Sequence, residues 1–126
     1  MRPIVYDAGA LVAAERRRSP MWAFHDLALA AGVVPIVPVV VLAQAWRGGP
    51  QAELSRLLRG CRVEPDDEQT GRGAGLLCST SRTSDVVDAI VVVTAIRRDA
   101  VVVTSNPGDL SRLADALDAK LQLHLV

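Results

Sequence analysis

Four aspartates, Asp7, Asp85, Asp88 and Asp109, have the type and placing to do chemistry. Asp7 follows the apolar run Ile4-Val5-Tyr6. Asp85 and Asp88 stand just before and at the entrance to the stretch Ala89-Ile90-Val91-Val92-Val93, and Asp109 closes the segment that begins Val101-Val102-Val103-Thr104-Ser105-Asn106. In an open parallel α/β sheet the strand ends line one edge, and ligands bind there at the point where the strand order reverses. Carboxylates far apart in the chain would meet at that edge. Like charges in one cleft repel, and a shared proton or a bound cation relieves them. The pattern therefore points to a divalent-metal site.

Each acidic position also has a purely structural use. Asp7 and Asp85 both precede helical segments and can serve as N-caps. Asp85 and Asp88 are three apart on a first helical turn, so both project from one face, although capping requires only one. Asp88 enters an apolar stretch where an unpaired ionised carboxylate is costly to bury, and this favours a functional role. The small residues Ala8-Gly9-Ala10 after Asp7 let a ligand or a neighbouring backbone come close. In Ser105-Asn106-Pro107-Gly108-Asp109, Asn106 and Asp109 each offer an oxygen, while Ser105 or Asn106 can alternatively cap the helix after Pro107.

The elements that must position these groups follow from periodicity and punctuation. Pro3 to Tyr6 reads as a strand, followed by a helix from Ala10 that runs on to Arg16-Arg17-Arg18. Ser19-Pro20 opens a helix over Met21 to Ala31 that ends at Gly32. A strand over Val33 to Val37 leads to Pro38, which opens a helix over Val39 to Arg47, closed by Gly48-Gly49. Further helices are expected over Gln51 to Arg59, from the acidic turn at Pro65-Asp66-Asp67-Glu68 to about Ser79 in a segment weakened by Gly71, Gly73 and Gly75, over Asp85 to Arg98, and over Pro107 to Ala116. Strands are expected at Cys61 to Val63, Val101 to Thr104 and Leu121 to Val126. The order βααβααβααβαβ predicts a single α/β domain over residues 1–126, a three-layer α/β/α arrangement around a central parallel sheet.

Composition narrows the class. With 126 residues, half of them apolar and few aromatic, the chain can bury an aliphatic core without disulfides. Cys61 and Cys78 fit no metal-ligand spacing and are read as reduced thiols. No apolar run reaches the roughly 18 residues of a membrane span, and no secretory leader pattern is present, so the expectation is a cytoplasmic protein without membrane contact. Acidic and basic residues balance at 14 each, which argues against a large non-specific nucleic-acid surface. Any polynucleotide contact must be local. Thirteen of the fourteen basic residues are arginine, a bias that genome composition explains as well as phosphate binding does.

The segments Val5-Tyr6-Asp7-Ala8-Gly9-Ala10-Leu11, Val40-Val41-Leu42-Ala43-Gln44-Ala45-Trp46-Arg47-Gly48, Asp85-Val86-Val87-Asp88-Ala89 and Val102-Val103-Thr104-Ser105-Asn106-Pro107-Gly108-Asp109-Leu110 together resemble a PIN domain. The resemblance is in particular to the small VapC-type toxins of bacterial toxin–antitoxin pairs, and it covers nearly the whole chain. It implies a Mg²⁺- or Mn²⁺-dependent endoribonuclease with an acidic quartet. The first acid falls on Asp7, the third on Asp88 and the last at Asn106 or Asp109. The second position, usually Glu, is Gln44 here. Hard cations prefer anionic oxygen, so Gln44 and Asn106 weaken the set, and Asp85 and Asp109 are expected to make up the charge. The resemblance further implies an antitoxin partner that presents a basic side chain to the acidic pocket, an RNA substrate and a homodimer.

On that reading Asp7, Asp88 and Asp109 hold the metal, while Thr104 and Ser105 orient water. Glu15 and Arg16 flank the groove or form a solvated helix face. Arg47 contacts RNA phosphate or favours its helix dipole. For the dimer, the apolar helices over Val39 to Trp46 and Ala52 to Leu58 are the expected faces. Two other readings compete: a degenerate PIN domain that binds RNA or protein without cutting, and a phosphoacceptor receiver domain, which lacks the required lysine because Lys120 precedes the last strand.

Overall fold

The computed structural model describes residues 2–126. Its framework is a five-stranded sheet in the order β3-β2-β1-β4-β5, with every neighbouring pair parallel. The strands are β1 (Ile4–Tyr6), β2 (Ile36–Pro38), β3 (Arg62–Glu64), β4 (Val101–Thr104) and β5 (Gln122–Leu125). The uninterrupted apolar runs take the centre, where β1 is buried throughout and pairs Val5 with Ile36 on one side and Val102 on the other. The more polar runs take the edges. Arg62 and Glu64 on β3, and Gln122 and His124 on β5, keep those edges from pairing with another chain.

Seven helices flank the sheet: α1 (Ala8–Ala13), α2 (Pro20–Ala30), α3 (Val39–Ala45), α4 (Ala52–Arg59), α5 (Glu68–Ser81), α6 (Val86–Arg98) and α7 (Pro107–Ala116). The element order is the expected one, with differences at the boundaries. The first helix stops at Ala13. The Glu15 and Arg16 amides bond three residues back, to Val12 and Ala13, so the last turn tightens and Arg16-Arg17-Arg18 stand in a turn instead of on a helix. Val33 and Val34 lie outside the second strand. The Val33 amide turns back to the Ala28 carbonyl around Gly32 (φ 79°), closing α2, and pairing starts only at Ile36.

Pro38 completes β2 before it starts α3, and α3 ends at Ala45 because Trp46 is already extended (ψ 133°). The glycines do not shorten α5, which continues to Ser81. Asp67 caps its first turn, and Gly73 lets Val93 of α6 approach to 3.5 Å from where a Cβ would sit.

Ile4, Tyr6, Leu11, Met21, Leu54, Leu57, Leu77, Val91 and Leu110 are fully buried members of one apolar cluster. Because Leu54 and Leu57 are spent there, α4 does not present the apolar outer face expected for a partner. No helix among the described residues is long and apolar enough to cross a membrane. Cys61 and Cys78 are free, partly buried thiols.

One polar group crosses the core. His25 Nδ1 and the Tyr6 hydroxyl are hydrogen-bonded at 2.9 Å, both residues are buried, and Trp22 meets the imidazole edge-on while its Nε1 donates to the Ala14 carbonyl. Burial pushes the His25 pKa below its ordinary value; the Asp26 charge opposes this and the Arg56 charge adds to it. With the folded-state pKa depressed, the His25 contribution is intact above the unfolded value and is lost as pH falls through the folded one. Urea midpoints should therefore fall between pH 7 and pH 5. In His25→Gln, which keeps a hydrogen-bonding group beside Tyr6 but does not titrate there, that slope should flatten; an unchanged slope would remove His25 as its source.

Candidate functional site

The chain leaves β1 toward β2 and β3 on one side and returns to the other side of β1 through β4. The carboxyl ends of β1 and β4 therefore bound the crevice where the strand order reverses. Asp7 ends the first of these strands, and Ser105 and Asn106 follow the second.

Asp7 is only 6% exposed. One of its oxygens accepts the Ala10 amide at 2.9 Å, and its carboxylate is also held by the Gly9 amide and the Thr104 hydroxyl. Burial raises its pKa, and these three donors pull against that rise. Thr104 is fully buried and accepts the Asn106 amide at 3.0 Å, so its hydroxyl fixes Asp7 and the loop after β4. Asp7 is thus the N-cap of α1. Its backbone is also tied to β4 through the Val103 carbonyl.

Asp85 caps α6 by accepting the Asp88 amide at 3.1 Å, and its own amide is held by the Thr83 hydroxyl at 3.2 Å. Asp88 sits one turn into α6, half-buried at the edge of the apolar run Ala89 to Val92. Its pKa is pushed up to about 7, first by burial, then by the neighbouring Asp85 carboxyl, with the charges of Asp7 and Asp109 adding to it. Four carboxyl groups from three separate segments therefore feel one another. Asp85, Asp88 and Asp109 share a cavity of about 160 Å³ with Arg82, Thr83 and Arg112.

Some expected members stand elsewhere. Asp7, Asp88 and Asp109 do not converge on one point: among the described residues no three His, Cys, Asp or Glu side chains form a group able to hold a metal as they stand. Asp109 is turned to Arg112, which contacts it at 2.6 Å. Gln44 and Glu15 line a different cavity, of about 560 Å³, beside Gln51, which donates to Glu15 at 2.6 Å. The guanidinium of Arg47 is bound to the carbonyls of Ala43 and Trp46, at the end of its own helix. Ser105 and Asn106 are exposed, and Asn106 occupies the N-cap position of α7 without a side-chain cap bond.

Sequence reasoning missed Arg82 and Arg112. Arg112 carried a signal, since it lies three residues after Asp109 on one helix. Arg82 carried none, because its place at the cavity follows from a left-handed backbone (φ 56°) at the end of α5.

No family model matches the sequence, and no curated protein matches it. Solved structures match in fold. VapBC2 from Rickettsia felis, bound to a DNA fragment from its promoter, superposes with a TM-score of 0.73 at 17% identity, over 98% of this chain and 98% of that one. FitAcB from Neisseria gonorrhoeae gives 0.66 at 14% identity, over 95% of each chain. PAE2754 from Pyrobaculum aerophilum gives 0.64 at 15%, over 96% of this chain and 87% of that one. The five-stranded parallel sheet and its flanking helices are thus a fold that these proteins share over almost their whole length.

Proposed function

We propose that the chain is a PIN-fold endoribonuclease dependent on Mg²⁺ or Mn²⁺, acting as the toxin of a type II toxin–antitoxin pair. The observation that carries this reading is the gathering of Asp85, Asp88 and Asp109 on one cavity, within electrostatic reach of Asp7, which ends β1 at the switch point of a parallel sheet. Full-length fold likeness to VapBC2 and FitAcB, together with the four segments that resemble VapC-type toxins, supports it.

The donor chemistry fits a hard divalent cation. The groups are carboxylates, and the pKa of Asp88, raised first by burial and then by its acidic neighbours, belongs to a site where a cation would favour the ionised form. As they stand they form no complete metal group, and Asp109 is paired with Arg112. Asp7, Asp88 and Asp109 would hold the ion, with Asp85 adding charge. When bound, such an ion polarises the phosphodiester and eases formation of hydroxide from water. The chain supplies the rest. Thr104 and the amides of Gly9 and Ala10 favour the ionised form of Asp7 against its burial and aim it, Asp85 fixes the first turn of α6 so that Asp88 faces the cavity, and Arg82 offers a guanidinium group to phosphate oxygens.

Incubation of single-stranded and structured RNA with the purified chain tests the assignment. Cleavage is expected with Mn²⁺ or Mg²⁺ and not with a chelator. Intact RNA under all conditions would overturn it and leave a binding module, the second reading, which the neutral side chains of Gln44 and Asn106 favour. Pairing with an antitoxin and with a second copy of the chain belongs to the same proposal. Of the faces expected for the second copy, the one over Val39 to Trp46 keeps Val39 of α3 and Trp46, just past its end, exposed.

A further inference from the structure

An acidic crevice repels the polyanion it is meant to cut, and a chain of zero net charge gives no long-range attraction to offset this. The attraction must come from a local group of cations near the crevice. Most arginines are unsuitable: Arg2, Arg17, Arg56, Arg62, Arg72, Arg97, Arg98 and Arg112 are each paired with a carboxylate, Arg47 is bound to carbonyls of its own helix end, and Arg82 lines the acidic cavity itself. Arg16 and Arg18 are different. Both are exposed, neither is in an ion pair among the described residues, and both face one cavity of about 380 Å³ that no acidic side chain lines.

That cavity adjoins the crevice through its other wall. Gly9 and Ser105 line it, and a Cβ on Gly9 would lie 3.4 Å from the Asp7 carboxylate. Ser19 and Ser105 add hydroxyl groups. Ser19 Oγ accepts the Met21 amide, capping α2, and its own proton remains free to donate. The attraction is therefore supplied by the arginine side chains and not by the helix end. Two guanidinium groups that share a cavity, lined also by Val126, repel each other, and a phosphate accepting from both resolves that repulsion.

We propose that this cavity seats a backbone phosphate of single-stranded RNA next to the phosphodiester presented to the acidic crevice. Arg16 and Arg18 are the forks that hold it, and Ser19 and Ser105 are supporting donors. The inference rests on the nucleic-acid reading above and deepens it, because it fixes on which side of Asp7 the strand continues.

The test measures binding without cleavage. A short fluorescein-labelled oligouridylate is titrated with wild type, the double variant Arg16→Gln/Arg18→Gln, the charge-keeping Arg16→Lys/Arg18→Lys and the control Arg59→Gln, in chelator and over a range of salt. Arg59 is exposed at the end of α4 and lines none of these cavities. The Gln pair should lose about tenfold or more in affinity. Its salt slope should fall by roughly 1.4, two contacts at about 0.7 each for a single strand. The Lys pair should keep the slope, and Arg59→Gln should match wild type. Unchanged binding in the Gln pair, an equal loss in Arg59→Gln or no RNA binding by wild type would each overturn the inference. So would an equal loss of binding to hexaglutamate, which would make this a site for acidic peptide. A chain that binds RNA through Arg16 and Arg18 but never cuts it sinks the nuclease reading alone, and one that cuts with undiminished binding in the Gln pair sinks this inference alone.

Discussion

Asp88→Asn should abolish cleavage and at the same time raise the melting temperature of the cation-free protein. The two effects share one cause. Asp88 is half-buried among Asp85, Asp7 and Asp109, and its pKa is raised to about 7, so at neutral pH and above the fold carries an ionised group that its surroundings disfavour. A group whose folded-state pKa is raised contributes stability that is fully present below the unfolded value, near 3.8, and is lost as pH rises through about 7. The amide of Asn never ionises and can still donate to Asp85. Because the site is half open to water, the gain at pH 8 is on the order of 1 kcal/mol. Cleavage falls because an anionic ligand for the cation is gone; charge stabilisation of that kind is worth several kcal/mol, or on the order of 100-fold or more in rate. Mn²⁺ should raise the melting temperature of wild type and leave that of the variant unmoved. A variant that melts lower than wild type at pH 8, with or without Mn²⁺, would show that Asp88 is a structural hydrogen-bonding group and would count against the metal site.

Gly9→Ala should be the most damaging single-methyl change in the crevice. A Cβ there would stand 2.3 Å from Ser105 Oγ and 3.3 Å from the Ser105 amide. The hydroxyl can rotate away, but the amide cannot, so the loop after β4 must retreat from the first turn of α1. Overpacking of this kind costs roughly 1 to 3 kcal/mol. Because Asp7 is bound by amides of that same turn, the carboxylate moves with it, and activity should fall more than stability does. Ser105→Gly in the same chain removes the hydroxyl but leaves the amide, and should recover only part of the stability. If Gly9→Ala is silent in both melting and cleavage, the two loops are not in contact in solution.

The fold is largely legible in the sequence. Ile4-Val5-Tyr6 and Val101-Val102-Val103-Thr104 are apolar without alternation, as strands buried on both faces must be, and the Gly and Pro positions separate the helices between them. The β-branched run from Val86 to Val93 is a helix despite its strand propensity, because Asp85 caps it and its length exceeds that of a strand. Less legible is anything that depends on distance across the fold. Local spacing does not show that Gln44 falls in the cavity of Glu15, that Arg47 is used up on its own helix end, or that Asp109 turns to Arg112. The Tyr6–His25 bond joins a strand to a helix through the core, and no periodicity marks it. The resemblance orders the acids along the chain, but which of them share a cavity is decided by how the helices pack.

The central position of β1 sets the order in which the chain can mature. Its strand is synthesised well before its second neighbour, β4, which spans Val101–Thr104. Contacts that remote in sequence form late and slowly. Until β4 has emerged and docked, Ile4, Val5 and Tyr6 keep one open, apolar edge, which is an invitation to aggregation. Over the same interval Asp7 lacks the Thr104 hydroxyl and the facing loop, so a nascent or truncated chain has no crevice. A chain with this topology therefore has no crevice until β4 has been made and docked beside β1.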